Sequence, residues 1–425
     1  MLAYQAFPQK SVPYRFSEAG TARMSAIAPG RSTGPQLPAR YTNLDSAHSA
    51  HGSRIHAFAP ALVRGDPLAD DLVEYFASRP LGGGRKQLEQ ALDHGIESVR
   101  NPHPTLAALF AQLDHVPLWV DFKQLDLGGS VYLRLGPLGQ LALGCAALPL
   151  AYGSPVGVVP LVFTGRLTQR AFRRLIETTH FVYVTCKPGG LRRHGEGFKT
   201  TVRVRLMHAQ IRRLLRQSPK WDMQAWGVPI PQADLAGTNL SFSVVVLESL
   251  RRLGCSFSAR ESEAVMHLWR YSGYLIGLEP QFTCATEAEA LRMGDLIAMT
   301  QGPPNGDCVA LTQALMNVTM HMAQTPAQRR AAQQWRKFLN GLTRYFIGAE
   351  RADALQLPKT RLRFALYPMR LTVMLCETLR RTVPGVNTLA VRIGSKTWGK
   401  SIEIGLAGVK VSYELPEHPA ARSTH

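Results

Sequence analysis

The sequence contains few of the residues that would crosslink the chain or hold a structural metal. Its cysteines include no CxxC pair and no Cys/His cluster at zinc spacing: Cys145, Cys186, Cys255, Cys284, Cys308 and Cys376. This scarcity argues against a disulfide scaffold and against a structural zinc site. We therefore expect the protein to work in a reducing compartment.

The N-terminal region lacks the features of an export signal. It has no charged segment leading into a compact apolar core, and no twin arginine. Residues 1–58 are instead rich in Ser, Ala and Pro and poor in acids, which predicts a disordered or extended leader. We expect a cytoplasmic protein, with membrane association left open.

Acidic residues are scarce relative to basic ones. The chain has 49 Lys and Arg against 30 Asp and Glu, a formal net charge of +19. Such a balance bears on anionic partners and not on fold. Basic residues with interleaved aromatics concentrate at 326–346 and 359–381, a pattern more typical of basic amphipathic helices than of an element that reads a nucleic-acid groove. We therefore expect a peripheral anionic membrane surface, and not nucleic acid, as a partner.

Charge is missing altogether between residues 135 and 165. The length would permit a membrane span. Four prolines and several glycines interrupt the stretch, however, and a lipid-facing helix would leave backbone groups unsatisfied at those breaks. The stretch therefore predicts a buried helix at about 138–148, followed by an irregular segment.

Elsewhere the apolar residues recur mostly at helical spacing, which predicts a mainly α protein. Residues 388–414 alternate apolar and polar side chains around Gly and Lys, which predicts a short C-terminal β-hairpin. We expect a single helical domain over 59–383, followed by the hairpin and a tail over 384–425. The predicted helices lie at about 66–79, 85–98, 104–113, 138–148, 167–184, 200–217, 239–253, 258–277, 286–298, 308–323, 326–346 and 366–382.

Two polar residues interrupt the apolar stripe of the helix predicted at 167–184. Arg174 and Thr178 fall within the stripe, and Glu177 lies at its edge. A buried guanidinium needs an anion, such as a haem propionate or a carboxylate, because its desolvation is costly. An Arg174–Glu177 pair on a solvated face is the alternative. Glu177 and His180 also form an ExxH unit of the kind found in di-iron proteins, but the sequence contains no second such unit.

His208 lies in the middle of the apolar stripe of the helix predicted at 200–217. Val204, Met207 and Ile211 flank it at helical spacing. A neutral imidazole on an apolar face is suited to ligate haem iron, with the neighbouring side chains packing on the porphyrin. A core histidine that bonds a backbone carbonyl is the alternative.

Five short blocks between residues 116 and 325 together resemble a known family. They are Thr164-Gly165-Arg166 with Arg174-Leu175-Ile176-Glu177-Thr178; Val204-Arg205-Leu206-Met207-His208-Ala209; Trp226-Gly227-Val228-Pro229; Asp234-Leu235-Ala236-Gly237-Thr238; and His267-Leu268-Trp269-Arg270-Tyr271-Ser272-Gly273-Tyr274-Leu275-Ile276-Gly277. In this order they resemble the superfamily of latex-clearing proteins and mycophenolate-pathway oxygenases.

The resemblance implies an α-helical protein with a globin-like core that holds haem b and acts with O2. Latex-clearing proteins cleave C=C bonds of cis-polyisoprene. His208 matches the family's proximal iron ligand, and Arg174, Thr178 and Arg205 match its haem-site residues. Thr238 falls near a further family threonine. We therefore expect these five residues to form the cofactor site, with His208 as the metal ligand.

The chain also departs from the latex-clearing pattern. Glu177 stands where those enzymes carry a Lys, and the uncharged stretch offers no acid where they carry a catalytic Glu. We expect a haem b-dependent oxygenase that acts with O2 on an apolar, isoprenoid-like or polyprenyl substrate by oxidative C=C cleavage. Glu177 is our candidate acid/base, beside Arg174 and Thr178. The alternatives are a non-catalytic haem-binding protein and a di-iron oxidase built on Glu177 and His180.

Overall fold

The computed structural model describes residues 37–78, 83–163, 167–360 and 366–406. Within these ranges the backbone forms helices joined by short turns, and no β-sheet is present. This confirms the prediction of a mainly α protein.

The helices of the described ranges are numbered in chain order. They are α1 (Leu44–His51), α2 (Arg54–Val63), α3 (Pro67–Ala77), α4 (Gly83–His94), α5 (Pro104–Asp114), α6 (Phe122–Arg134), α7 (Gly136–Ala142), α8 (Leu148–Ala151), α9 (Val159–Val162), α10 (Leu167–Cys186), α11 (Glu196–Arg216), α12 (Met223–Trp226), α13 (Gln232–Phe242), α14 (Val244–Arg252), α15 (Ala259–Leu275), α16 (Glu287–Met299), α17 (Gly306–Met316), α18 (Val318–Met322), α19 (Pro326–Ile347), α20 (Ala349–Ala354), α21 (Leu366–Thr382) and α22 (Val386–Leu406). A π-helical turn, Leu143–Ala147, joins α7 to α8.

Side-chain caps start several helices where the sequence predicts them. Ser258 and Glu261 form a reciprocal capping box at the start of α15, which matches the start of the helix predicted at 258–277. Thr325 caps α19 together with Gln328, and Pro326 occupies the first helical turn. These caps pair backbone N–H groups that the helix itself cannot satisfy.

The sequence did not predict α6, although it lies between two long core helices. A Cβ at Gly128 would fall 2.2 Å from the carbonyl oxygen of Ala264 in α15, and one at Gly129 would fall 2.2 Å from that of Cys186 in α10. The two glycines therefore let both neighbours approach the α6 backbone. Because glycine lowers intrinsic helix propensity, the same two residues explain why the sequence did not predict this helix.

The uncharged stretch forms a buried helical segment, as predicted at about 138–148. Helix α7, the π turn and α8 continue one another over residues 136–151. In the part of the chain that the structure describes, no single helix is both long and apolar enough to cross a membrane. The pair formed by α6 and residues 136–151 meets the criteria of length and composition together, with a bend of 91° between its halves.

The predicted C-terminal hairpin is wrong for residues 388–406, which belong to α22. The buried residues of this helix are Gly394, Trp398 and Ile402, spaced four apart, so the helical period determines the packing. A Cβ at Gly394 would fall 2.1 Å from the carbonyl oxygen of Leu133, so α22 packs closely on α6. The segment up to residue 406 is thus part of the helical domain, and residues 407–414 lie outside the described ranges.

The predicted leader also requires correction, because its last part is folded. Residues 44–51 and the start of α2 are helical, and Ile55 and Phe58 are buried. They pack with α13 residues in a core cluster of their own. Apolar side chains at helical spacing thus extend the folded domain toward the N-terminus, while residues 1–36 lie outside the described ranges.

A buried ion pair anchors α11 to the start of α3. Nε and Nη2 of Arg205 donate to the two carboxylate oxygens of Asp66 at 2.7 and 2.9 Å, and Nη1 donates to the carbonyl of Leu275 at 3.2 Å. Asp66 also caps α3. A Cβ at Gly277 would fall 2.3 Å from this carboxylate, and its φ of +94° favours glycine as well. One guanidinium therefore ties together α11, α3 and the end of α15.

Replacing Asp66 by alanine should strongly destabilise the fold, because it leaves the charge of Arg205 buried without a counterion. We expect Asp66→Ala to lower the free energy of unfolding by about 3–5 kcal/mol, measured by urea denaturation. Asp93→Ala is the matched control, since its pair with Lys199 leaves the carboxylate half-exposed. It should cost less than about 1 kcal/mol. Equal losses in the two variants would contradict the role assigned to the buried pair.

Candidate functional site

One large cavity, of about 1200 Å³, lies between the helices of the described part of the chain. Residues from Leu148 to Leu161 form one wall, and α10, α11, α13 and α14 form much of the rest. Most of the lining side chains are apolar, with a few polar groups among them. A large apolar cavity with a small number of convergent polar groups is typical of a site for a cofactor or a substrate.

His208 lies on this wall, on the cavity face of α11. Val204, Met207 and Ile211 line the cavity beside it, as their helical spacing predicted. Burial and, to a smaller extent, the charge of Arg212 lower the pKa of His208 to about 4, although Asp66 acts in the opposite direction. The imidazole is therefore neutral at pH 7, the form in which histidine binds a metal.

The hydrogen bonding of His208 also leaves it available as a ligand. Its Nδ1 atom is buried and has no hydrogen-bond partner among the described residues. A core histidine held by a backbone carbonyl would have such a bond, so the alternative role proposed for His208 finds no support here. A neutral imidazole of this kind, with Met207 and Ile211 on the same wall, would be suited to hold the iron of a haem.

Helix α10 turns Arg174, Glu177 and Thr178 toward the same cavity. Nη1 of Arg174 donates to the carbonyl of Leu161 at 2.9 Å. Burial raises the pKa of Tyr152, which also lines the cavity, to about 12, although the charge of Arg174 acts to lower it. The prediction that the apolar stripe carries Arg174 and Thr178 inward thus places them at one site with His208.

Glu177 lines the cavity and forms an ion pair with Arg173, whose side chain reaches the solvent. Its Oε1 accepts a hydrogen bond from Nε of Arg173 at 2.8 Å, one turn earlier in α10. The Arg173 side chain is about half exposed, whereas that of Glu177 is 21% exposed. Glu177 is the acidic side chain of α10 at the cavity, and it stands one residue from Thr178.

The structure separates the two remaining predicted site residues. Thr238 lines the cavity, and its hydroxyl donates to the carbonyl of Asp234 at 2.8 Å. Arg205 does not line the cavity, because its guanidinium is fully engaged by the buried carboxylate of Asp66. The structure thus gives Arg205 a place as an anchor of the helix and does not bring it to the cavity wall with His208.

The di-iron alternative finds no ligand set in the described residues. Glu177 lines the cavity but His180 does not. Burial lowers the pKa of His180, while Glu196 and Lys187 exert opposing electrostatic effects on it, so its ring faces a different environment. Within the described ranges, no group of three or more His, Cys, Asp or Glu side chains could hold a metal ion.

The sequence did not point to two polar residues of the cavity wall, Arg252 and Tyr152. Arg252 ends α14, where a cation is ordinarily explained by the helix dipole. Its Nη1 donates to the carbonyl of Phe346, which belongs to α19, and both residues line the cavity. The helix predicted at 239–253 breaks at Ser243 into α13 and α14. Contacts between residues so far apart in sequence leave no local signal.

Comparison with known proteins assigns the family. A family model described as the catalytic domain of "ER-bound oxygenase mpaB/B'/Rubber oxygenase" matches residues 132–378, more than half of the chain. The chain belongs to this family. The resemblance read from residues 116–325 is thereby confirmed.

Two individual proteins are similar to this member of the family. A rubber oxygenase of Streptomyces sp. (strain K30) is 29% identical over 252 residues, which cover 57% of this chain and 58% of that protein. The chain thus matches somewhat more than half the length of this curated relative. A structure described as latex clearing protein LCP in the closed state has a TM-score of 0.61 at 21% identity, covering 80% of this chain and 91% of that one. The latter likeness concerns the fold.

The low pKa of His208 predicts a distinct pH dependence of stability. In the unfolded chain a histidine takes up its proton near pH 6.5, whereas folded His208 does so only near pH 4. Between these values the unfolded state binds the extra proton, so stability falls as the pH falls. We expect His208→Gln to remove about 3 kcal/mol of this loss between pH 7 and pH 4, measured by urea denaturation without added cofactor. Parallel stability curves for the two proteins would contradict the buried, neutral imidazole.

Proposed function

We propose that this protein is a haem b-dependent oxygenase that acts with O2 on an apolar, isoprenoid-like substrate. The observation that carries the proposal is the neutral imidazole of His208, whose Nδ1 has no partner, on the wall of a large apolar cavity. Membership of an oxygenase catalytic-domain family supports the reaction class. The haem dependence rests on the fit of the residues themselves.

The cavity supplies the groups that a haem would need. His208 would hold the iron, and Met207 and Ile211 would pack against the porphyrin. Arg174 is a cation on the cavity wall and would balance a propionate. When bound, haem supplies the oxygen chemistry, and the protein supplies orientation and a dry environment.

The remaining polar groups of the wall would position the substrate and control protons. The largely apolar lining of the cavity suits a substrate without polar groups. The hydroxyl of Thr178 faces the same space as the carboxylate of Glu177. We assign to Glu177 the transfer of a proton at its carboxylate oxygens, for example from an allylic carbon of the substrate.

Oxidative C=C cleavage is the reaction we propose, on a smaller isoprenoid or a polyprenyl chain. The similar Streptomyces protein is named a rubber oxygenase. The present chain has Glu177, and not Lys, before Thr178, and no acid in the uncharged stretch, so its proton transfer depends on a different residue. We therefore propose for this chain an isoprenoid substrate, as for the rubber oxygenase, but not rubber itself.

Loss of His208 should abolish haem binding. After haem supplementation, the wild type should show a Soret band. His208→Ala should bind haem at least about 100-fold more weakly, because removing a ligand costs more than removing its supporting residues. Free imidazole should restore the band in this variant.

The matched control is His180→Ala, on the neighbouring helix but not on the cavity wall. It should keep the spectrum of the wild type. A colourless wild type, or an unchanged spectrum in His208→Ala, would overturn the haem proposal. Haem binding without O2 consumption in the presence of polyprenyl substrates would favour the non-catalytic haem-binding alternative.

Glu177→Gln should separate a catalytic role from a structural ion pair. If the carboxylate moves a proton, kcat should fall by about 10²–10⁴-fold, with the haem spectrum and affinity unchanged. Arg173→Gln removes the same ion pair but leaves the carboxylate. It should change kcat by less than about fivefold, because the pair is partly exposed. Equal effects in the two variants would rule out the acid/base role.

A further inference from the structure

Helix α21 carries its apolar side chains outward. Only Leu366 and Val373 of this helix are buried. The large apolar residues on the opposite side are between 46% and 72% exposed: Tyr367, Leu371, Met374, Leu375 and Leu379. Their spacing of three and four places them on one face. In a helix of a globular domain such an apolar face ordinarily points to the core, whereas in α21 it points to the solvent.

The adjacent helix α22 extends the apolar face. It packs against α21, and Leu389, Ile393 and Ile404 on its surface are between 54% and 61% exposed. Together with Val383 in the connecting turn, the two helices hold nine of the fifteen large exposed apolar residues of the described chain. We call this surface the C-terminal apolar face. Its concentration at one place in the fold distinguishes it from scattered exposed residues.

Basic side chains accompany the C-terminal apolar face. Arg370 and Arg381 on α21, and Arg392, Lys396 and Lys400 on α22, are all exposed. The acids of the two helices are Glu377 and Glu403, and Glu377 is paired with Arg380. The face therefore combines exposed apolar side chains with an excess of positive charge.

We propose that the C-terminal apolar face docks the protein on an anionic membrane surface. A helix with an exposed apolar stripe flanked by Lys and Arg buries that stripe at the boundary of headgroups and acyl chains. The basic residues add attraction to anionic lipids. A second copy of the chain is the less suitable occupant, because two such faces would bring like charges together. The proposal keeps the second of the two basic segments predicted from the sequence, 359–381, because α21 covers most of it, and replaces 326–346 by α22.

The position of α22 relates this surface to the cavity. Helix α22 packs on α10, where a Cβ at Gly405 would fall 2.3 Å from Cδ1 of Ile176. Another face of α10 lines the cavity through Arg174 and Thr178. The membrane contact therefore lies one helix away from the proposed site. The contact itself does not depend on haem.

Binding of the full chain to vesicles tests the proposal. The wild type should co-sediment with phosphatidylcholine vesicles that contain phosphatidylserine, and much less with phosphatidylcholine alone. Raising the salt from about 0.1 M to about 1 M shortens the screening length from about 10 Å to about 3 Å and should weaken binding. Leu371→Glu/Leu375→Glu should lower the partition coefficient at least about tenfold, as should Lys396→Glu/Lys400→Glu.

Val116→Glu/Leu118→Glu is the matched control. It makes the same change of charge at exposed apolar positions in the loop before α6, and it should bind within about twofold of the wild type. Thermal unfolding followed by circular dichroism verifies that each variant is folded. Equal binding to neutral vesicles, an equal loss in the control, or a wild-type dimer that Leu371→Glu/Leu375→Glu dissociates would each overturn the proposal. None of these outcomes alters the haem spectrum, so failure here is distinct from failure of the proposed function.

Discussion

The candidate site depends on the buried ion pair between Arg205 and Asp66. Arg205 and Arg212 lie seven residues apart on α11, so both point to the same side of the helix, where Asp66 and Asp70 of α3 receive them. A bidentate, desolvated pair tolerates little rotation or translation of the helix. Once that side of α11 faces α3, helical geometry alone turns Val204, Met207 and His208 toward the cavity. The orientation of the proposed ligand is thus set by charges that never touch a cofactor.

The same pair contributes to the chemistry of His208. Burial and the charge of Arg212 lower its pKa, and Asp66 acts in the opposite direction. Arg205 engages both oxygens of Asp66, and the effect of that carboxylate on His208 is smaller than those of burial and of Arg212. A histidine beside a free carboxylate would more readily take a proton and lose its affinity for a metal. The imidazole of His208 therefore stays neutral although it belongs to a helix rich in arginine.

Periodicity predicted much of this fold and site, because it reports which residues share a face. It placed His208 with its apolar neighbours, and Arg174 with Thr178, on what proved to be one cavity. It failed where packing outweighs local preference: Gly128 and Gly129 weaken α6 as an isolated helix but permit its close contacts. The assignment of Arg205 to the cofactor site came from the family resemblance and not from periodicity, and the structure gives its guanidinium an internal partner. Asp66 lies 139 positions away, so no local pattern could separate an internal carboxylate from a propionate.

The cavity and the surface of α21 both present apolar side chains that the described chain does not bury. Inside, apolar side chains around a few polar groups leave a space that water enters unfavourably and that a ligand can fill. Outside, α21 exposes an apolar face that nothing in the described chain covers. A net charge of +19 produces mutual repulsion between copies of the chain, which opposes their association through such a face. The excess of Lys and Arg is then a condition for exposing the apolar residues, and not only a means of attracting an anionic surface.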